Sequence, residues 1–388
     1  MRVLVVGAGL GGLLLDILLR QRGIESTIVE RAKDHGRGGY VLALWRVGVR
    51  ALEEAGLGAA VDEAGRVVET YAVADPRGRV LSEMSLGRLN EKHGALVQLH
   101  RRTLHEILRS APQRSEIRMG TTVTALEEDS GGVTARFDDG TQDRFDAVVG
   151  ADGIRSTVRR LAFPAHEAPT PFGAVGWSFL APADERTPEG IVELWSRGKY
   201  VGVYRFSKDT CGVYAAIRDP HAGAAYPQGR RIDLLRRSFA DFGAYVPKLF
   251  ENLPDEEAIF HDALSEVKIP RWTTDRIALL GDSAHAMLPF GGMGASMAFE
   301  DAVVLAEQLA GARPASGGIA TALRRYERRR RWRVRPIQFN AWVKGLAMFR
   351  AERVPVGIRA ASAICRDPLM TYGSYQERIL DGFLASEP

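Results

Sequence analysis

Residues 3–6 are a short β-branched run, Val-Leu-Val-Val, halted by glycine, which is the pattern of a buried parallel strand. Apolar positions then recur at helical spacing as far as Gly23, and residues 26–29 return to a strand pattern ending in Glu30. The same strand-to-glycine step occurs twice more. Residues 147–149 run into Gly150-Ala151-Asp152-Gly153 ahead of a helix expected over 154–160, and residues 277–280 run into Gly281-Asp282. A glycine-rich loop at 289–294 and a helix over 295–309 follow. Between these stretches residues 40–44 are apolar, and the pattern predicts a helix at 47–55 and a hairpin over 66–86 around Asp75-Pro76-Arg77-Gly78. A strand at 96–100, a helix at 102–109 and a meander of strands at 121–127, 133–137 and 144–149 come next. Residues 164–272 read as a separate lobe, with strands at 172–180, 190–195, 200–206 and 212–217 and then an amphipathic helix over 230–245. Trp177, Trp195, Tyr204 and Tyr214 lie on those strands, where ordinary packing accounts for most aromatic residues.

The first stretch carries chemistry. Gly7, Gly9 and Gly12 make G-x-G-x-x-G between a strand and a helix. The first glycine permits the tight turn, the second lets backbone approach a pyrophosphate, and the third lets the helix start close to the strand. The helix then points its free N–H groups at the phosphates. Glu30, roughly 20 residues on, is placed to accept hydrogen bonds from an adenosine ribose and would repel a 2′-phosphate. Asp16 departs from the usual small residue at its helix position; a solvated pair with Arg20 at i,i+4 is the plainer expectation. Arg37, in the polar loop after Glu30, is within reach of a phosphate, although such an arginine is more often solvated. Eight arginines fall within residues 324–335, a run expected to be a solvated helix face rather than an anion site.

With 388 residues, 45% of them hydrophobic, the chain has material for two or three domains and a sizeable core. No stretch approaches the roughly 18 apolar residues of a membrane span. Strand one begins directly after Met1, so no signal peptide and a soluble, cytoplasmic protein are expected. The two cysteines, Cys211 and Cys365, form no C-x-x-C pair and suggest neither a disulfide framework nor a metal site. A net charge of +4 is too small to argue for nucleic acid.

Together the three stretches resemble the class A FAD-dependent monooxygenases, the family of p-hydroxybenzoate hydroxylase, phenol-type aromatic hydroxylases and the tetracycline-inactivating monooxygenases. The resemblance spans residues 1 to about 326, with the motifs in the family's order and spacing. It implies an α/β fold: a Rossmann-type FAD-binding domain (glutathione-reductase-like) from residues 1–65, 91–163 and 273–330. A substrate-binding β-sheet domain from 66–90 and 164–272 is inserted into it, and a C-terminal helical segment covers 331–388. By the same resemblance Gly7, Gly9, Leu10, Gly12, Glu30, Arg31 and Arg37 would hold the ADP half of FAD, together with Val123. Arg101 matches the residue that contacts the phosphates and ribityl chain, and Asp152-Gly153 matches the DG motif tied to pyrophosphate and nicotinamide contacts. Gly281 and Asp282 match the ribityl-binding pair. Pro289, Gly292, Met293 and Gly294 match the loop beside the isoalloxazine ring. His285-Ala286 stands where the family usually has His-Pro, and His285 is set aside as a packed residue rather than a catalytic one.

The implied chemistry is hydroxylation or epoxidation of an aromatic or polyketide-like small molecule with NAD(P)H and O2, through a flavin C4a-hydroperoxide. Trp195, Tyr204, Tyr214, Phe290 and Met293 are candidates for the substrate pocket, by position only, and no obligatory acid or base is visible. A monomer or homodimer is expected, with no nucleic acid, metal or membrane span. Two other readings use the same fold: a flavin oxidase or dehydrogenase, and an FAD-bearing protein with a non-redox cyclase or ligand-binding role. A flavin halogenase is disfavoured because W-x-W-x-I-P is missing; the nearest text is Gly176-Trp177-Ser178-Phe179.

Overall fold

A computed structural model describes residues 1–350 apart from 35–38, 113–114, 167, 220, 222–225 and 313–316. Arg37, Cys365 and the stretch 351–388 therefore lie outside the described residues.

Strand β1 (Arg2–Val6), helix α1 (Leu10–Gln21) and strand β2 (Glu25–Glu30) make the first βαβ unit. β1 pairs in parallel with β2 on one side and with Ala147–Gly150 on the other. Ile277–Leu279 and Ile117–Met119 complete a five-stranded parallel sheet, so the three strand-to-glycine steps end side by side. That adjacency follows from burial: Val3 to Val5 and Ala147 to Val149 are wholly enclosed, and only a central strand covered on both faces tolerates such runs.

The second layer is a seven-stranded sheet. It contains the hairpin Thr70–Ala74 and Val80–Ser85 together with Thr170–Pro182, Ile191–Ser196, Lys199–Arg205, Thr210–Arg218 and Phe260–Glu266. The antiparallel meander Val123–Asp129, Gly132–Phe137 and Gln142–Phe145 packs over the parallel sheet.

Four local expectations differ. The helix after Gly153 starts at Thr157, because the Asp152 carboxylate and the Ser156 hydroxyl accept the N–H groups of Thr157, Val158 and Arg159 and hold 152–156 as a capped turn. The helix expected over 230–245 ends at Ser238, and a second, Val246–Glu251, starts with proline near its N-terminus. Gly318–Phe349 is one continuous helix across the boundary expected after residue 330.

The fourth difference is Asp16, which is wholly buried rather than solvated. It accepts from the Ser26 hydroxyl at 2.7 Å and from the Ser115 N–H and hydroxyl at 2.7 and 2.5 Å, and Arg20 donates to Ser115 instead. The acid thus ties α1 to β2 and to the segment leading into the last parallel strand. Asp16→Ala is expected to cost about 3 kcal/mol, because three donors lose a charged acceptor inside the protein. Denaturant unfolding measures this, with FAD affinity unchanged because Asp16 lies away from the cleft.

Candidate active site

The glycine turn is built as its spacing requires. Gly7 has φ +107°, and a Cβ there would meet the Ala151 carbonyl oxygen at 2.5 Å; a Cβ on Gly12 would meet the Gly7 oxygen at 2.1 Å. These two glycines close the packing of helix on strand. Gly9 differs, since a Cβ there would come no nearer than 4.0 Å to anything, and it caps α1 without any side-chain acceptor. Its open face and the free N–H groups of α1 point into a cleft of about 470 Å³. Glu30 accepts from Ala8 N–H at 2.9 Å and Ala32 N–H at 2.8 Å, so it braces the glycine turn from β2. Arg31 beside it is exposed.

The same cleft is lined by Leu10, Arg101, Gly153, Gly281, Asp282, Pro289, Gly292 and Gly294, which were separate motifs in the chain. Arg101 begins a helix whose first N–H bonds the Tyr40 carbonyl, and its guanidinium lies 5.8 Å from the Tyr40 ring. Asp282 sits at the start of a short helix after Gly281, whose φ of +62° turns the chain sharply. Its side chain is exposed to the cleft, and among the described residues no protein donor reaches its carboxylate. Surrounding protein pushes that carboxyl upward, and His285 works the other way. Gly294 and Ala295 open the helix Gly294–Ala310 onto the cleft, again without a side-chain cap. Its positive end favours negative charge there.

The cleft's other wall comes from the seven-stranded sheet. Tyr204 and Tyr214 face it, and burial raises both phenols, which stay neutral donors through the physiological range. Glycines make room for them: a Cβ on Gly176 would meet the Tyr214 oxygen at 2.4 Å, and one on Gly202 would meet Tyr204 at 2.6 Å. A second cavity of about 70 Å³ lies behind Pro289–Gly291. It shares Ala43, Tyr204, Pro289 and Gly292 with the cleft and adds Trp45, Tyr71, Ile191, Glu193, Phe290 and Lys344.

Other expected residues stand elsewhere. Val123 and Met293 are buried in the core beneath the meander, so their side chains do not line the cleft. The Asp152 carboxylate is occupied by Ser156, Thr157 and Val158 and positions Gly153 rather than facing the cleft. Trp195 lines neither cavity and donates its indole N–H to Glu193 at 3.0 Å, while Phe290 lines only the smaller one. His285 is buried, with Nε2 2.5 Å from Asp301 and its ring against Trp272, which matches the packed reading.

The arginine run is not a simple solvated face. Arg330 is wholly buried between Asp301 and Glu300, at 2.6 and 2.8 Å, and Arg333 also pairs with Glu300. Asp301 in turn accepts from the Gly281 N–H at 3.0 Å, directly before Asp282. Sequence reading also missed the two-bond pair of Arg155 with Asp262, at 2.9 and 2.6 Å, which joins the turn after Gly153 to the sheet beside the cleft. Nothing local marks such long-range partners, since each is an ordinary charged residue until the fold brings them together.

The cleft fits FAD by its own features: Gly9, Gly153 and Gly294 leave open backbone where a side chain would intrude, two uncapped helix starts offer N–H groups, and Asp282 offers an unpaired acceptor. Comparison with known proteins agrees. The model of the "FAD binding domain" family matches residues 1–340. The chain is 32% identical to the aurachin C monooxygenase/isomerase of Stigmatella aurantiaca over 84% of each chain. It is 30% identical to the 2-heptyl-3-hydroxy-4(1H)-quinolone synthase of Pseudomonas aeruginosa over 89% of each. The crystal structure of Klebsiella pneumoniae HpxO complexed with FAD and uric acid superimposes with a TM-score of 0.83 at 28% identity, covering 100% of this chain and 96% of that one. The fold, the cofactor cleft and these relatives agree: the chain belongs to the FAD binding domain family, as an FAD-dependent monooxygenase of class A.

Proposed function

We propose that this monooxygenase uses NAD(P)H and O2 to hydroxylate a flat, fused nitrogen heterocycle. The observation that carries the reading is that one cleft is bounded by the three glycine turns on one side and by Tyr204 and Tyr214 on the other. Cofactor and substrate would share a single enclosed space. Uric acid and the 4(1H)-quinolone of the relatives' names are both fused bicycles with ring N–H and carbonyl groups, and neutral tyrosine hydroxyls on an apolar wall suit such edges.

Residues 1–65, 91–163 and 273–330 would hold FAD, and 66–90 with 164–272 the substrate. Gly7 and Gly12 shape the first turn, Gly9 and Leu10 admit the pyrophosphate, and Glu30 braces the ribose end. Arg101 and Asp282 take the phosphate and ribityl region, and Pro289, Gly292 and Gly294 flank the ring. When bound, the flavin carries electrons from NAD(P)H to oxygen so that one oxygen atom reaches the substrate. The protein's share is to place the substrate carbon, exclude water and present the positive helix end of Gly294 to developing negative charge.

The test is NAD(P)H oxidation by the FAD-loaded enzyme against uric acid and 2-heptyl-4(1H)-quinolone, with product mass recorded. A substrate-dependent rate with a mass gain of one oxygen supports the reading. Tyr214→Ala is expected to raise KM about tenfold through lost wall contact and one lost hydrogen bond, with kcat little changed. Equal rates with and without every compound, and no product, would refute the substrate class.

A further inference from the structure

The helix Gly318–Phe349 carries a lysine that the cofactor reading does not use. Lys344 is almost wholly buried, and its ammonium donates to three partners from three separate parts of the chain. These are the Tyr71 hydroxyl at 2.9 Å, Glu193 Oε1 at 2.9 Å, and the Phe290 carbonyl at 2.8 Å. The rings of Tyr71 and Trp195 lie 5.5 and 5.6 Å from the nitrogen. Glu193, equally buried, accepts the Trp195 indole N–H on its other oxygen. The next residue is tightly packed: a Cβ on Gly345 would meet the Leu288 side chain at 2.8 Å and the Phe172 ring at 3.0 Å. A side chain at 345 would have to push aside the tips of Leu288, Phe172 and Phe290, so glycine there lets the helix lie close against the loop. The neighbouring Gly291 carbonyl is met from the opposite side by the Trp45 indole N–H at 3.4 Å.

A buried ammonium could serve merely to neutralise Glu193. The geometry argues for more, because one of its three donors goes to a backbone carbonyl of Pro289–Gly291, the segment that separates the cleft from the smaller cavity. We infer that Lys344 is a positioning residue for the flavin: from the C-terminal helix it fixes the backbone of Pro289–Gly291, with Glu193 and Tyr71 as its anchor on the sheet. Pro289 and Gly292 line both cavities, so any movement of Phe290 shifts the surface offered to the flavin and to the substrate together. The inference rests on the proposed place of the flavin ring beside this loop. FAD binding by the unaltered protein tests the cofactor reading separately.

The experiment compares Lys344→Met, the double variant Lys344→Met with Glu193→Leu, and Glu327→Gln. Glu327 is a buried acid that accepts from Trp272 and Thr273 and touches neither the loop nor the cleft. Three quantities are read: the apoprotein unfolding midpoint, the FAD dissociation constant from flavin fluorescence, and the visible circular dichroism of bound flavin. Lys344→Met leaves Glu193 buried without its cation, so its midpoint falls. Removing both charges returns the midpoint toward that of the unaltered protein. The Phe290 carbonyl still lacks its donor in the double variant, so FAD binding stays weakened by about tenfold and the dichroism stays altered. Glu327→Gln lowers the midpoint and leaves both flavin readouts in place. If the double variant regains stability, FAD affinity and dichroism together, Lys344 only neutralises Glu193 and the inference is overturned. It is equally overturned if Lys344→Met folds with unchanged FAD affinity and dichroism.

Discussion

Asp282→Ala is expected to purify without the yellow colour of bound FAD, with affinity lowered by about 10- to 100-fold. That range follows from losing one charged acceptor worth roughly 1.5–3 kcal/mol. The carboxylate faces the cleft, and no protein donor among the described residues reaches it. A group that does nothing for the empty protein does little harm to it when removed. With no protein partner to lose, the apoprotein's unfolding midpoint should hold. Titration of apoprotein with FAD, alongside thermal unfolding, measures both effects. Full flavin occupancy in the variant would remove Asp282 from the site.

Arg330→Met is expected to have the largest effect on stability, about 3–5 kcal/mol, because it removes the buried cation shared by Asp301 and Glu300 and leaves Asp301 with only His285 and Glu300 with only Arg333. Burial by itself would raise the Asp301 carboxyl, but His285 and Arg330 outweigh it and hold it down at about 2. A depressed carboxyl stabilises the fold above its unfolded value, and that stabilisation is lost as pH falls from about 4 towards about 2. In the variant the depression shrinks, so the gap between the two proteins is greatest near neutrality and narrows below about pH 4. Denaturant unfolding across pH 3–7 follows it. Because Asp301 also holds the Gly281 N–H, some loss of FAD affinity accompanies the loss of stability.

These two residues mark what a linear chain discloses. The position of Asp282 is legible because it is set locally: a buried strand, a glycine with positive φ and an acid in succession place a carboxylate at a sheet's edge wherever that sheet lies. The glycine turn at residues 7–12 is legible for the same reason, as are the hairpin around Asp75 and the meander, each specified by neighbours within a few positions. Arg330 was hidden. It stands among seven other arginines of identical chemistry, and only the packing of Gly318–Phe349 against Gly294–Ala310 singles it out. Asp16 misled because its i,i+4 neighbour offered a partner, whereas the true partners, Ser26 and Ser115, arrive from strand pairing. Lys344 had one signal: a lone lysine among Trp342, Val343 and Leu346 on a predicted helix is surrounded by burial. Its acceptors lie more than 50 residues away.

Strand position marks Tyr204, Tyr214 and Trp195 alike; Tyr204 and Tyr214 line the cleft, whereas Trp195 turns to Glu193 instead. Alternation assigns a face to each strand residue, but which face meets the cofactor is set by how two sheets are brought together.

The central claim, that this chain transfers oxygen rather than merely passing electrons to it, is tested most directly with isotopically labelled oxygen. FAD-loaded enzyme is supplied with NAD(P)H, ¹⁸O2 and whichever heterocycle stimulates NAD(P)H oxidation, and product mass, NAD(P)H consumed and hydrogen peroxide are measured together. Oxygen transfer requires one ¹⁸O atom per product molecule, one NAD(P)H oxidised for each, and little peroxide. Oxidation of NAD(P)H with all oxygen recovered as peroxide, or a product whose new oxygen comes from water, would contradict it.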